Sequence, residues 1–127
     1  MIVADTSVLI PWAAGAATPK TELLNTHLAT ATLFVVPVTI AELMSARVLT
    51  PEIEALADAL AVLELKQGYW TRVGLLRGRC LAAGRRARLA DTMIAQACLD
   101  SGLPLLTEDS DFSVFSELAG LELVGSH

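Results

Sequence analysis

Four short segments of this chain carry carboxylates where a carboxylate is costly or conspicuous. The N-terminal run MIVADTSVLI sets Asp5 between apolar stretches and follows it with two hydroxyl residues, Thr6 and Ser7. Further along, TIAELMSAR holds Glu42, RLADTMIAQACLDSG holds Asp91, and LPLLTEDSDF delivers Thr107, Glu108, Asp109 and Asp111. Carboxylates held close together raise one another's pKa and destabilise the fold unless something positive offsets them. Hard oxygen donors with no clustered histidine or cysteine favour Mg2+ or Mn2+ over zinc. Ions held by acids commonly serve phosphoryl chemistry, one activating a water and a second stabilising the leaving oxygen. Thr6, Ser7 and Thr107 could orient a water or a phosphate oxygen there, or simply cap the adjacent turns.

These residues matter together only if the fold gathers them. IVAD reads as a strand ending in a turn at the hydroxyl pair. TPKTELLNTHLAT reads as a helix with Pro19 in its first turn. TLFVVP is a second buried strand stopped by Pro37, and VTIAELMSARV has helical spacing. PEIEALADALAVL begins at Pro51 with Ile53, Leu56, Leu60 and Leu63 on one face. After Gly68, Trp70, Val73, Leu76 and Cys80 repeat at helical spacing, and LADTMIAQACLDSG is a helix closed by Gly102. LPLLT and LELV read as the third and fourth strands. Alternating strands and helices imply an α/β sandwich with a mostly parallel sheet.

Ligands of such a sheet bind outside the carboxyl ends of its strands. Asp5 and the acids after LPLLT follow strands, while Glu42 and Asp91 are expected in the first turns of helices that start at the same edge. Four segments distant in sequence therefore bring acids to one rim. Each also has a plainer reading. TIAE, Thr39 to Glu42, fits a capping box, Asp91 gains from the helix macrodipole, and TEDSDF fits a solvated turn. Coincidence of all four at one edge would leave unpaired negative charge there, which a divalent cation relieves.

Composition bounds the alternatives. The 127 residues fit one domain, 1–127, without disulfide or metal staples. A hydrophobic fraction of 54% is hard to bury in so small a body, so a partner or a second copy is expected to cover some of it. No run is long enough to span a membrane, and no basic flank precedes Asp5, so a secretory signal is not expected and a cytoplasmic setting is. Cys80 and Cys98 lack metal-site spacing and are expected as reduced core thiols, although sequence leaves a disulfide open. His27 and His127 fall outside the acid-bearing segments and are not expected to be ligands. The net charge of −5 hides one basic stretch: Arg72, Arg77, Arg79, Arg85, Arg86 and Arg88 occur with no acid between them, against 3 basic and 14 acidic side chains elsewhere.

MIVADTSVLI, TIAELMSAR and RLADTMIAQACLDSGLPLLTEDSDF, in that order and spacing, resemble the PIN-domain nucleases, and among them the VapC-type toxins of bacterial toxin–antitoxin pairs. The resemblance covers nearly the whole chain. It implies a PIN-like three-layer α/β/α sandwich with a short, mostly parallel central sheet. It also implies a metal-dependent endoribonuclease whose acids fall on Asp5, Glu42, Asp91 and Asp109, binding Mg2+ or Mn2+, with Asp111 in support. A homodimer and a small VapB-type antitoxin that blocks the acid pocket are implied too. In that setting Arg85, Arg86 and Arg88 lead into the helix of Asp91 and are expected to hold RNA phosphates. Arg72 is a weaker candidate, and Trp12 and Trp70 are better placed in core or dimer packing than in base stacking. The main alternative is a PIN-like module that binds RNA or protein without cutting. A receiver domain lacks its acidic pair and its lysine here, and no Gly-x-Gly-x-x-Gly follows the first strand.

Overall fold

Side chains alternate between the two faces of a strand, and the first strand, β1 (Ile2–Ala4), uses this to bury both. Ile2 and Ala4 enter one apolar cluster and Val3 the other. The computed structural model describes residues 1–125; His127 lies outside the described residues. β2 (Leu33–Val35) and β4 (Leu105–Leu106) flank β1, and β3 (Ala61–Val62) pairs with the far side of β2. All pairings are parallel and the order is β3-β2-β1-β4.

Helices cover both faces. On one side lie α1 (Thr6–Ala13), α2 (Pro19–Ala29), α3 (Pro37–Met44) and α4 (Pro51–Ala59), contributing Leu9, Leu24, Leu43 and Ile53 to the cluster of Ile2 and Ala4. On the other lie α5 (Tyr69–Ala82), α6 (Leu89–Ser101) and α7 (Ser113–Ala119), contributing Val73, Leu76, Ile94, Cys98 and Phe115 to the cluster of Val3. This is the expected α/β/α sandwich. Strands buried on both faces are near-continuous apolar runs for this reason. Cys80 and Cys98 are free and buried, and burial pushes the Cys98 thiol up to about 12. Gly102 closes α6 with φ 65°, the left-handed conformation that glycine adopts without strain. No helix of the described residues is long and apolar enough to cross a membrane.

Several local expectations are corrected. The chain after Asp5 forms α1 at once rather than a turn. α3 begins at Pro37, with Val36 as its cap, so Glu42 is the sixth residue of the helix and not in its first turn. Thr39 and Glu42 therefore form no capping box, and the buried Thr39 hydroxyl has no partner among the described residues. α4 stops at Ala59, because the next residues supply backbone to β2, with Leu63 N–H bonding the Val35 carbonyl at 2.8 Å. Leu63 consequently packs in the opposite cluster from Ile53 and Leu60. LELV is not a strand; only Leu123 bridges to Leu105. Tyr69 takes the buried place expected of Trp70, which is 62% exposed and so does not pack in the core.

Candidate metal centre

β1 leads to β2 on one side while β4 lies on the other, so the crevice beyond the ends of β1 and β4 is the switch point where α/β sheets take ligands. Asp5 stands there, directly after β1. It occupies the cap position of α1, and its backbone carbonyl accepts from the Val8 and Leu9 amides. Its side chain does not cap. Oδ1 accepts the Ser7 hydroxyl at 2.6 Å and Oδ2 accepts the Thr107 hydroxyl at 2.9 Å. Those hydroxyls in turn accept backbone amides from the loop after β4: Glu108 N–H to Ser7 at 2.8 Å, and Asp109 N–H to Thr107 at 3.0 Å. Burial raises the Asp5 pKa, opposed by the two hydroxyl donors and helped by the charge of Asp109.

Asp91 is the third residue of α6, whose N-terminus starts at this rim because the helix runs back before β4. Asp109 and Asp111 arrive on the loop after β4, where a short 3-10 turn (Ser110–Phe112) is capped by Asp109 accepting the Asp111 amide at 2.9 Å. One carboxylate oxygen each from Asp91, Asp109 and Asp111 lie within 4.8 Å of one another. Glu42 and Asp5 are outside that trio but share its field. Burial, then the charges of Asp91 and Asp5, raise the pKa of Glu42. Asp91 is pushed up to about 6, chiefly by burial and then by Asp109, with Asp111 and Asp5 adding and Arg88 opposing.

Asp91 Oδ2 and Glu42 Oε1 are buried with no hydrogen-bond partner among the described residues. An unpaired buried polar atom costs about 1–3 kcal/mol and more when charged, so two on one rim call for a ligand that donates positive charge. The donor set is all oxygen, which fits a hard divalent cation.

The remaining candidates divide. Ser7 and Thr107 are in the network; Thr6 opens α1 half-buried, and its hydroxyl makes none of the hydrogen bonds of the described residues. Arg72 binds both oxygens of Asp100, at 2.9 and 2.7 Å, and is structural. Arg85 pairs with Glu117 at 2.5 Å. The Arg86 and Arg88 side chains are exposed and have no hydrogen-bond or ion-pair partner among the described residues. Trp12 Nε1 donates to Asn25 at 2.9 Å. One residue was missed at the sequence level: Lys20, whose ammonium donates to the Thr107 carbonyl at 2.8 Å and pairs with Glu108 at 3.3 Å. A lysine just inside a Pro-started helix opposes the macrodipole, and that was the available signal.

Residues 2–118 match the PIN domain family, and the chain belongs to it. No curated protein matches in sequence. Among solved structures, a chain of the VapBC-5 toxin–antitoxin system of Mycobacterium tuberculosis is 26% identical, over 96% of this chain and 95% of that one, with a TM-score of 0.65. A chain of DNA-bound VapBC from Salmonella typhimurium is 19% identical over 97% of both chains, TM-score 0.73. A chain of VapBC2 from Rickettsia felis, bound to a fragment of its promoter, is 16% identical over 97% of both, TM-score 0.72. These last two share the fold.

Proposed function

We propose that the chain, as one domain over residues 1–127, is a VapC-type toxin: a divalent-metal-dependent endoribonuclease restrained by a VapB-type antitoxin. The observation that carries this is the gathering of Asp91, Asp109 and Asp111 beside Asp5 and Glu42, with unpartnered oxygens on Asp91 and Glu42. The similarity to VapBC structures supports the toxin–antitoxin setting.

Asp91 and Asp109 would hold Mg2+ or Mn2+, with Asp5, Glu42 and Asp111 completing or backing the set. When bound, the cation supplies Lewis-acid chemistry for attack of water on a phosphodiester. The chain's own residues do the rest. Ser7 and Thr107 fix the two oxygens of Asp5, so that acid cannot swing. The Asp109 carboxylate is aimed by its own turn. Arg86 and Arg88 approach from the start of α6 and hold phosphates that flank the scissile one; Arg85, paired to Glu117, contributes less. Exposed Trp70, Leu75, Leu81, Val48 and Met44 supply apolar surface for the homodimer and the antitoxin. The setting is the cytoplasm.

Incubating a structured RNA pool with Mg2+ or Mn2+, beside Asp91→Asn and EDTA controls, tests this. Discrete cuts made only by wild type with metal are expected. Cuts that persist in Asp91→Asn would refute the site, and RNA retention without cuts would leave a binding module.

A further inference from the structure

α2 starts rigidly. Pro19 presets its first turn, the Thr18 side chain accepts the Thr21 amide at 3.2 Å, and Thr18 N–H donates to the Thr21 hydroxyl at 2.7 Å. The next residue after Pro19 is Lys20, a cation at the positive end of a helix, where its charge is unfavourable. Two acceptors offset this, and both belong to the loop after β4: the Thr107 carbonyl at 2.8 Å and the Glu108 carboxylate at 3.3 Å. Among the described residues, Lys20 alone on α2 makes hydrogen bonds to that loop.

The lysine bridges open space. A cavity of 310 Å3 bordered by Glu108, Asp109, Ser110 and Ser113 lies on one side of it, and one of 230 Å3 bordered by Ser7, Pro11 and Thr18 on the other. Lys20 and Glu108 border both cavities, so their pair spans the space between the start of α2 and the loop after β4. Thr107 is also the hub of the site: its hydroxyl donates to Asp5 and accepts the Asp109 amide. A tie on the carbonyl of this one residue constrains the whole turn into Asp109 and Asp111.

We propose that Lys20 is a positioning residue, a strut from the capped start of α2 that sets where Asp109 and Asp111 stand relative to Asp91. It touches no reacting atom. The inference rests on the metal-centre reading above, and it makes the loop's geometry depend on a side chain outside the acid set.

The sign of one change separates a strut from a bystander. Lys20→Met keeps the length and removes the charge. Less positive charge near an acid cluster, taken alone, tightens binding of a divalent cation. Loss of positioning loosens it. Mn2+ affinity of the intact protein, read as free Mn2+ by electron paramagnetic resonance, is expected to fall about tenfold in Lys20→Met, the scale for residues that orient a ligand. Lys20→Arg, which still donates to a carbonyl and a carboxylate, should recover most of it. Tighter or unchanged Mn2+ binding in Lys20→Met overturns the proposal.

A second readout needs no metal. Amide hydrogen exchange at Glu108 and Asp109 should accelerate at least about fivefold in Lys20→Met, and less in Glu108→Gln, while β1 amides are unchanged. Unchanged exchange at Glu108 and Asp109 also overturns it. If wild type binds no Mn2+ yet these amides loosen, the metal-centre reading has failed and Lys20 is only a strut of the fold.

Discussion

At the β1–β4 corner of the rim, each oxygen of Asp5 has a hydroxyl donor, whereas across it Asp91 and Glu42 each keep a buried oxygen with no partner among the described residues. Both corners are acidic and both lie at the end of the same sheet. They differ in when their charge is satisfied. The Asp5 corner is completed by folding itself, since Ser7 and Thr107 arrive with α1 and with the end of β4. The Asp91 corner is not completed by folding, and under the proposed function a cation would complete it. If the proposed metal centre is right, such a site would hold Asp5 rigid and keep its affinity in the unsatisfied acids, whose mutual repulsion would favour a bound cation.

The sharpest break of this contrast is a pair of isosteric changes. Asp5→Asn and Asp91→Asn should each lower RNA cleavage by at least about 100- to 1,000-fold, the scale for removing one preorganised charge at a reacting centre. Their metal-free stabilities should diverge. Asp91→Asn removes a charge with no donor and should raise the melting temperature in EDTA. Asp5→Asn sets an amide donor against one of two hydroxyl donors and should not raise it. Equal gains in both variants would erase the distinction between the corners.

The pH dependence follows from Asp91. Its folded pKa is about 6 against an ordinary 3.8, so the native state holds the proton more tightly than the unfolded chain does. Stability from this group is full below about pH 4 and is lost as pH rises through about 6. At about 1.4 kcal/mol per unit the shift sets an upper limit near 3 kcal/mol, which solvent at the half-buried rim reduces to the order of 1–2 kcal/mol. The raised pKa values of Asp5 and Glu42 act in the same direction. Thermal melts from pH 4 to 8 should therefore slope downward in EDTA and flatten in saturating Mg2+. Parallel curves in the two conditions would mean that no cation engages these acids.

How far the sequence carries depends on whether a local pattern or a distant partner decides each element. β1, β2 and β4 are apolar runs, and α2 and α6 are marked by Pro19 and Gly102, so all five could be read. The shared rim could be read too, because parallel strands and returning helices leave no other edge for residues after a strand or at a helix start. α1 could not, since Pro11 lies inside it and lacks the amide a helix interior uses. β3 is two exposed residues whose only claim to be a strand is the backbone of β2 beside it, and local spacing continued the helix through them. The start of α3 was misplaced although Pro37 signalled it, because the Thr39–Glu42 spacing imitated a cap. In the site, Asp111 was ranked below Asp109, yet the 3-10 turn brings both to Asp91. Lys20 depends wholly on a loop 87 residues away.

The smallest effect sharpens the contrast from its outer edge, where the arginines divide as the acids do. Arg85 is satisfied, by Glu117, while Arg86 and Arg88 have no partner among the described residues, and the charge of Arg88 already lowers the pKa of Asp91. Arg88 stands at the cap of α6, three residues before Asp91, so it belongs to the open corner. Replacing Arg86 and Arg88 with alanine should weaken RNA binding and reduce the slope of log affinity against log salt by roughly 1.4, about 0.7 for each single-strand phosphate that is no longer neutralised. Arg85→Ala should leave that slope nearly unchanged and lower stability by only about 0.2–1 kcal/mol, the usual worth of an exposed pair. RNA titrations between 50 and 200 mM salt, on the order used to expose such slopes, check both. An Arg85→Ala slope as shallow as that of the double variant would show that its Glu117 pair opens for RNA, and that satisfaction in the free protein does not decide which arginines read the substrate.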